Sequence, residues 1–151
     1  TIDAVKRISA ELRPSILDDL GLVAAIEWQC EQFEARSGIP CQCHSLVENV
    51  DLTRDRATAV FRVLQEALTN ILRHARATRV TITIQEEDRE FAFEVRDDGR
   101  GITDEEKANP RSLGLTGMRE RVYLAGGTFE IVGAPGIGTV LTGRVPGNAK
   151  A

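Results

Sequence analysis

Over residues 53–75 the apolar side chains Val60, Val63, Leu64, Ala67, Leu68, Ile71, Leu72 and Ala75 fall three and four positions apart. On a helix turning through about 100° per residue, that spacing gathers them on one broad face. A helix this long with one apolar face must lay that face on a second layer. The partner layer is legible just downstream. Val80, Ile82 and Ile84 alternate with Thr81, Thr83 and Gln85, and Phe91, Phe93 and Val95 alternate with Ala92, Glu94 and Arg96. This period of two belongs to strands with one buried side, and residues 86–89 turn the first into the second. Two closing strands over 128–132 and 139–145 are joined by the turn Gly133-Ala134-Pro135-Gly136-Ile137-Gly138. The pattern predicts an α/β (α+β) two-layer sandwich, a mixed β-sheet with helices packed on one face.

The remaining elements are weaker. Val5, Ile8 and Leu12 suggest a helix over 4–17 broken by Pro14, the tail of something longer. A second helix over 22–35 carries Ala25, Ile26, Gln29 and Phe33 at burial spacing and stops at Gly38. Residues 40–47 follow as a candidate strand. From 97 to 117 the pattern dissolves into glycines and charges, a loop of functional character, before a short helix over 118–125 ended by Gly126-Gly127.

Length and charge exclude several classes. A chain of 151 residues with 42% hydrophobic and 28% charged residues suits one globular core. The net charge of -4, without any Lys/Arg run, argues against nucleic acid as a partner. No apolar stretch approaches the roughly 18 to 20 residues of a membrane helix, and the opening Thr1-Ile2-Asp3 lacks signal-peptide character, so this portion is expected to be soluble. Three cysteines do not make a disulfide framework. Cys41-Gln42-Cys43-His44 lacks the second spaced pair of a zinc site, and alternate strand positions make Cys41 and Cys43 small core residues.

Four constellations could carry chemistry. Glu66, Asn70 and His74, each one turn from the next, form a stripe along the rim of the long helix's apolar face, with Thr69 and Arg73 beside them. Asn70 offers a neutral oxygen to a hard cation such as Mg²⁺, and Glu66 could orient water or polarise a nucleophile. A solvated helix flank would show the same residues. Asp97-Asp98-Gly99-Arg100-Gly101 leaves a strand directly; a strand-end carboxylate can accept from an exocyclic amine while glycines admit a flat ring. An ordinary Asp-Gly turn reads alike. Gly114-Leu115-Thr116-Gly117-Met118 precedes a helix whose free N–H groups and dipole suit an anion, although a flexible loop would read the same way. Gly136-Ile137-Gly138-Thr139 is by itself a hairpin turn.

In this order, the motifs over 52–145 resemble the GHKL superfamily of ATPases and kinases (gyrase, heat-shock chaperone, histidine kinase, mismatch repair). The stretch Gln65-Glu66-Ala67-Leu68-Thr69-Asn70-Ile71-Leu72-Arg73-His74-Ala75 is similar to its N box, Asp97 to Gly101 to its G1 box and Gly114 to Met118 to its G2 box. Within the superfamily, Glu66 before Asn70, the short lid from Gly101 to Gly114, and Gly114-Leu115-Thr116-Gly117-Met118-Arg119-Glu120-Arg121 resemble histidine kinases of the NarX-like and DesK-like group. So does the junction from Glu11-Leu12-Arg13-Pro14 to Leu17-Asp18-Asp19-Leu20-Gly21-Leu22.

The resemblance implies ATP and Mg²⁺ as cofactors, with Asp97 on the adenine amine, Asn70 on the metal, and Arg73 and His74 near the phosphates. Gly99, Gly101, Gly114, Leu115, Gly117 and Met118 would shape the pocket and lid, and Thr139 would stand beside the adenine. Glu66 would act as a base or help hold metal. It further implies a division into 1–20 (end of a dimerisation helix and junction), 21–147 (catalytic domain) and 148–151 (tail). The group's phosphoacceptor is a His followed by an acidic residue, whereas His44 precedes Ser45 and His74 precedes Ala75. The acceptor would therefore lie upstream, in the protein's own dimerisation domain. The partners implied are that domain and a response-regulator receiver, in a full-length homodimer whose catalytic part is cytoplasmic even where the parent is membrane-anchored. Two rival readings are a non-catalytic nucleotide-binding regulatory module and another GHKL ATPase or serine kinase.

Overall fold

The computed structural model describes residues 15–47, 50–109 and 114–147. Its elements, in chain order, are α1 (Ser15–Ser37), β1 (Cys41–Ser45), α2 (Arg54–Asn70) continued by a π-helical turn (Ile71–Ala75), β2 (Val80–Glu87), β3 (Glu90–Asp97), α3 (Asp104–Ala108), α4 (Leu115–Leu124), β4 (Thr128–Ala134) and β5 (Gly138–Pro146). The helix expected over 4–17 lies outside the described residues as far as position 14. Beyond it, the residues read as a connector before 22 are helical. The helix bends at Gly21 (φ 87°, ψ 175°), so that Leu17 and Leu22 bury into the same core.

The sheet runs β1-β2-β3-β5-β4, with β1 parallel to β2 and every other pair antiparallel. It is the mixed sheet that the alternation predicts. Cys43, Ile82, Val95, Leu141 and Ile131 stand in register across all five strands, and Ile82, Val95, Leu141 and Ile131 are buried. On the opposite face the row Thr83, Glu94, Thr142, Glu130 is polar. One face therefore receives the helices and the other meets water. Val60, Val63 and Leu64 of α2 are completely buried in the same cluster as Ile26 of α1 and Val122 of α4.

Local chemistry fixes details of this packing. The β2–β3 hairpin turns on Asp88 and Arg89, both at positive φ (53° and 64°), a twist that matches the flanking strands. A Cβ on Gly143 would stand 2.2 Å from Cζ of Phe93, so the glycine leaves the room that the phenylalanine ring fills. Buried Gln29 donates from Nε2 to the Phe61 carbonyl at 3.1 Å, tying α1 to α2. Cys41 and Cys43 pack against the core beside buried Cys30. Hydrogen bonding to these two thiols and burial push the Cys30 thiol up, while Cys43 is pulled down by the bond from Cys30.

Candidate functional site

The site forms where α2 ends. Thr53 caps the helix start, accepting from the Arg56 N–H at 3.2 Å. At the other end the helix widens into the π-turn that carries Arg73 and His74, and Arg76 closes it in a left-handed conformation (φ 52°). Widening frees carbonyls that need donors. Arg100 supplies them: its backbone N–H donates to the Ala75 carbonyl at 2.7 Å and its Nε to the His74 carbonyl at 2.8 Å. Gly99 passes so close beneath that a Cβ would lie 2.0 Å from the Ala75 oxygen. This glycine serves a close backbone approach.

Asp97 is the last residue of β3 and only 7% exposed. Its Oδ1 accepts from the Gly99 N–H at 2.8 Å. Burial pushes its carboxyl above the usual range, against the pull of the Gly99 and Thr139 backbone N–H groups. Asp98 points the other way. It accepts from the Thr78 and Arg79 N–H groups at 2.7 and 3.0 Å and from the Thr78 hydroxyl, bonds that hold its carboxyl below the usual range, with the Thr78 hydroxyl contributing most. Thr139 Oγ1 accepts from the Ile102 N–H at 2.8 Å, fixing the segment that leaves the Asp97 loop toward α3.

Asn70, His74, Asp97, Gly101, Leu115, Met118 and Thr139 line one narrow slot, of about 60 Å³, whose walls are completed by Ile71, Val95, Ile102, Ile131 and Leu141. Its lining is mostly apolar, with Asp97 its one buried carboxylate. Next to it lies a larger cleft of about 620 Å³ between α2 and α4, lined by Arg62, Glu66, Thr69, Gly114, Gly117 and Arg121 among others, and Met118 borders both. The predicted residues are thus divided between two adjoining spaces. Asn70 and Asp97 share the slot, whereas Glu66 faces the cleft; Arg73 is exposed and lines neither. A Cβ on Gly114 would stand 2.7 Å from Oε1 of Glu66, so this carboxylate lies against the loop that starts α4.

Two elements differ from the sequence expectation. The stretch read as an unbroken loop contains α3, started by a capping box in which Thr103 and Glu106 bond reciprocally. The Thr-x-x-Glu spacing was a readable signal. Arg100 grips the same Glu106 through both oxygens, at 2.7 Å each, and this pair holds Glu106 down to about 2. Helix α4 begins at Leu115 rather than 118, because Leu115, Met118 and Val122 repeat at helical spacing and all are buried. Gly114 (φ 64°) precedes it in the left-handed region, and no side chain caps it. At its far end Arg56 Nε donates to the Ala125 carbonyl at 3.1 Å. Arg100 and Asp98 received no role from spacing, since the groups they hold at residues 74–75 and 78–79 lie far away in sequence.

Comparison with known proteins agrees with this architecture. Residues 55–149 match the family described as "Histidine kinase-, DNA gyrase B-, and HSP90-like ATPase". The chain is 39% identical over 145 residues to the oxygen sensor histidine kinase NreB of Staphylococcus carnosus, a match that covers 96% of this chain and 42% of that protein. It therefore spans less than half the length of that relative. Among solved structures, the histidine kinase domain of the Erythrobacter litoralis EL346 blue-light activated histidine kinase superposes with a TM-score of 0.71 at 23% identity, over 83% of this chain and 60% of that one. The catalytic domain of histidine kinase ThkA superposes with a TM-score of 0.67 at 20% identity, over 83% and 90% respectively. These likenesses are of fold, and the match over residues 55–149 shows the family: the chain belongs to the histidine kinase-, DNA gyrase B- and HSP90-like ATPases.

Proposed function

We propose that the chain is the ATP-binding catalytic domain of a two-component sensor histidine kinase, which transfers the γ-phosphoryl group of ATP to a histidine outside residues 1–151. The observation that carries the reading is a single buried carboxylate, Asp97, in an otherwise mostly apolar slot beside a polar cleft. A flat heterocycle with one exocyclic amine matches that slot: apolar walls take its faces and Asp97 accepts from its amine.

The cleft then receives the phosphates. Asn70 and Glu66, one turn apart on α2, carry oxygens that would suit Mg²⁺. When bound, the metal neutralises charge on the phosphates and fixes their orientation. The uncapped start of α4 directs N–H groups and the positive end of its dipole at the same region. Arg73 and His74 are exposed on the π-turn that ends the same helix, His74 lining the slot.

The acceptor is a histidine of the protein's own dimerisation domain, in a homodimer, and the phosphoryl group passes on to a response-regulator receiver in the cytoplasm. Neither His44 nor His74 is followed by an acidic residue. Among the described residues no helix is long and apolar enough to cross a membrane.

Calorimetric titration with ATP analogues and ADP, with and without Mg²⁺, tests the site. Incubation with labelled ATP and a supplied dimerisation domain tests the reaction. Acid-labile phosphohistidine on that domain is the expected product. Nucleotide binding without any transfer would mark a regulatory nucleotide module instead, and phosphoserine on a partner would mark a serine kinase.

A further inference from the structure

We infer that Arg62 and Arg121 form a clamp for the terminal phosphoryl group, making the cleft between α2 and α4 the place where a nucleoside triphosphate is told from a diphosphate. The inference rests on the nucleotide reading of the neighbouring slot.

Arg62, Glu66 and Asn70 stand at successive four-residue steps on α2, each about 6 Å along the axis from the last. Asn70 borders the slot, while Glu66 and Arg62 border the cleft. The helix edge is therefore a track: an amide nearest the ring, a carboxylate in the middle and a guanidinium farthest out. Arg121 reaches the same cleft from α4. Two guanidiniums lining one cavity repel each other, and burial, with a smaller push from Arg121, lowers the Arg62 pKa. Glu66, which lines the same cleft, lies against Gly114, and one bond of Arg62 runs from Nη1 to Gln65 Oε1 at 3.0 Å. A dianion between the two arginines would relieve that repulsion, and guanidiniums match phosphate in both charge and fork geometry.

Space and backbone agree. Nothing lies within 4 Å of a Cβ built on Gly117, so the first turn of α4 is open to a ligand. That turn has no side-chain cap, and its dipole adds to the charge of Arg62 and Arg121. A group bound there is the one farthest from Asp97, which in a triphosphate is the γ-phosphoryl and in a diphosphate is absent.

The test compares a non-hydrolysable ATP analogue with ADP by calorimetry on wild-type chain, Arg62→Gln, Arg62→Lys, Arg62→Ala and Arg121→Ala, with thermal melts reporting fold. Wild type should bind both nucleotides. Arg62→Gln and Arg121→Ala should each weaken the triphosphate about tenfold to a hundredfold and change ADP by less than about threefold. Arg62→Lys should recover part of the loss. If Arg62→Ala unfolds, Arg62→Gln and Arg121→Ala carry the comparison. Equal loss for both nucleotides, or no loss for either, overturns the clamp while leaving the slot intact. Unchanged binding of both with failed transfer to a supplied dimerisation domain also overturns it, and gives these arginines to the acceptor. Wild-type chain that binds neither nucleotide overturns the nucleotide reading along with the clamp.

Discussion

Asp97 and Thr139 are direct partners across β3 and β5, and both line the same slot. Each is already tethered on the protein side: Asp97 accepts from the Gly99 N–H, and Thr139 Oγ1 accepts from the Ile102 N–H. The pairing sets a carboxylate and a hydroxyl side by side at the ends of adjacent strands, held by the loop between Asp97 and Ile102. A ligand amine meeting Asp97 thus meets a preorganised acceptor, which lowers the ordering cost of binding.

The first prediction follows from that acceptor. Asp97→Asn should weaken ADP about tenfold to a hundredfold, the value of one charge-assisted hydrogen bond. Because burial raises the Asp97 carboxyl, wild-type affinity should begin to fall on acidification at a higher pH than an ordinary carboxylate would cause. For stability the sign is opposite. A raised carboxyl favours the folded state below its unfolded value of 3.8, and that contribution is lost as pH rises through the folded value. Titrations of ADP at stepped pH, with Asp97→Asn as the pH-insensitive control, check both parts; a pH-independent wild type would remove Asp97 from the contact.

What the sequence made legible is what repeats at short range. The apolar face of α2, the alternation of β2 and β3, and the Asp-x-Gly-x-Gly spacing after a strand all lie within one element and its exit. Features set by partners distant in sequence were not legible. Arg100 satisfies carbonyls 25 and 26 residues earlier and grips Glu106 as well, and no local pattern announces it. The π-turn is likewise invisible in the periodicity, which runs smoothly through Ile71 and Ala75. The division of the Glu66, Asn70 and His74 stripe between cleft and slot depends on where α4 lands, which the helix alone cannot fix. By contrast, α3 and the start of α4 had local signals, a capping box and a buried Leu115-Met118-Val122 spacing, masked by the surrounding glycines and charges.

A second prediction concerns the Arg100–Glu106 pair, which fastens α3 to the Asp97 loop. Its side chains are 38% and 24% exposed, so solvent screens it and about 0.5 to 1 kcal/mol is the expected contribution. Glu106 is held down to about 2 from an ordinary 4.5. The stabilisation is therefore present above pH 4.5 and lost as pH falls toward 2. Glu106→Gln should speed amide exchange in α3 at neutral pH and leave exchange in β2 and β3 unchanged. Equal protection of α3 in both proteins would show that the pair does not hold it.

The two glycines flanking the start of α4 should behave oppositely. Gly114 has φ 64°, and an added Cβ would meet the Glu66 carboxylate at 2.7 Å. Gly114→Ala should cost about 1 to 2 kcal/mol in urea denaturation, mainly the left-handed penalty, because the Glu66 side chain can swing aside. Gly117 lies inside the helix with open space above it. Gly117→Ala should stabilise the chain by up to about 1 kcal/mol through helix propensity. It should nonetheless weaken nucleotide binding, since a methyl would then stand at the proposed phosphate site. Gly117→Ala with unchanged affinity would place them elsewhere.

The adjacent carboxylates of Asp97 and Asp98 have been driven apart by their surroundings, and this separates their roles. Asp97 is buried and raised, with one acceptor oxygen fixed on Gly99. Asp98 is exposed, lowered and fully engaged, drawing the 78–79 segment onto the loop through two backbone N–H groups and a hydroxyl. Asp98→Ala leaves those donors to water, which reaches them, so about 1 to 2 kcal/mol should be lost rather than the full penalty of a buried orphan. The wild-type contribution is present above the ordinary carboxylate value of 3.8 and lost as pH falls below it. Chemical denaturation at pH 7 and pH 3 checks the sign: the gap between wild type and Asp98→Ala should shrink in acid. Asp97→Asn run alongside should show no such shrinkage, because its carboxyl moves in the other direction. Parallel behaviour of the two variants would mean that Asp98 does not anchor the loop on which Asp97 is mounted.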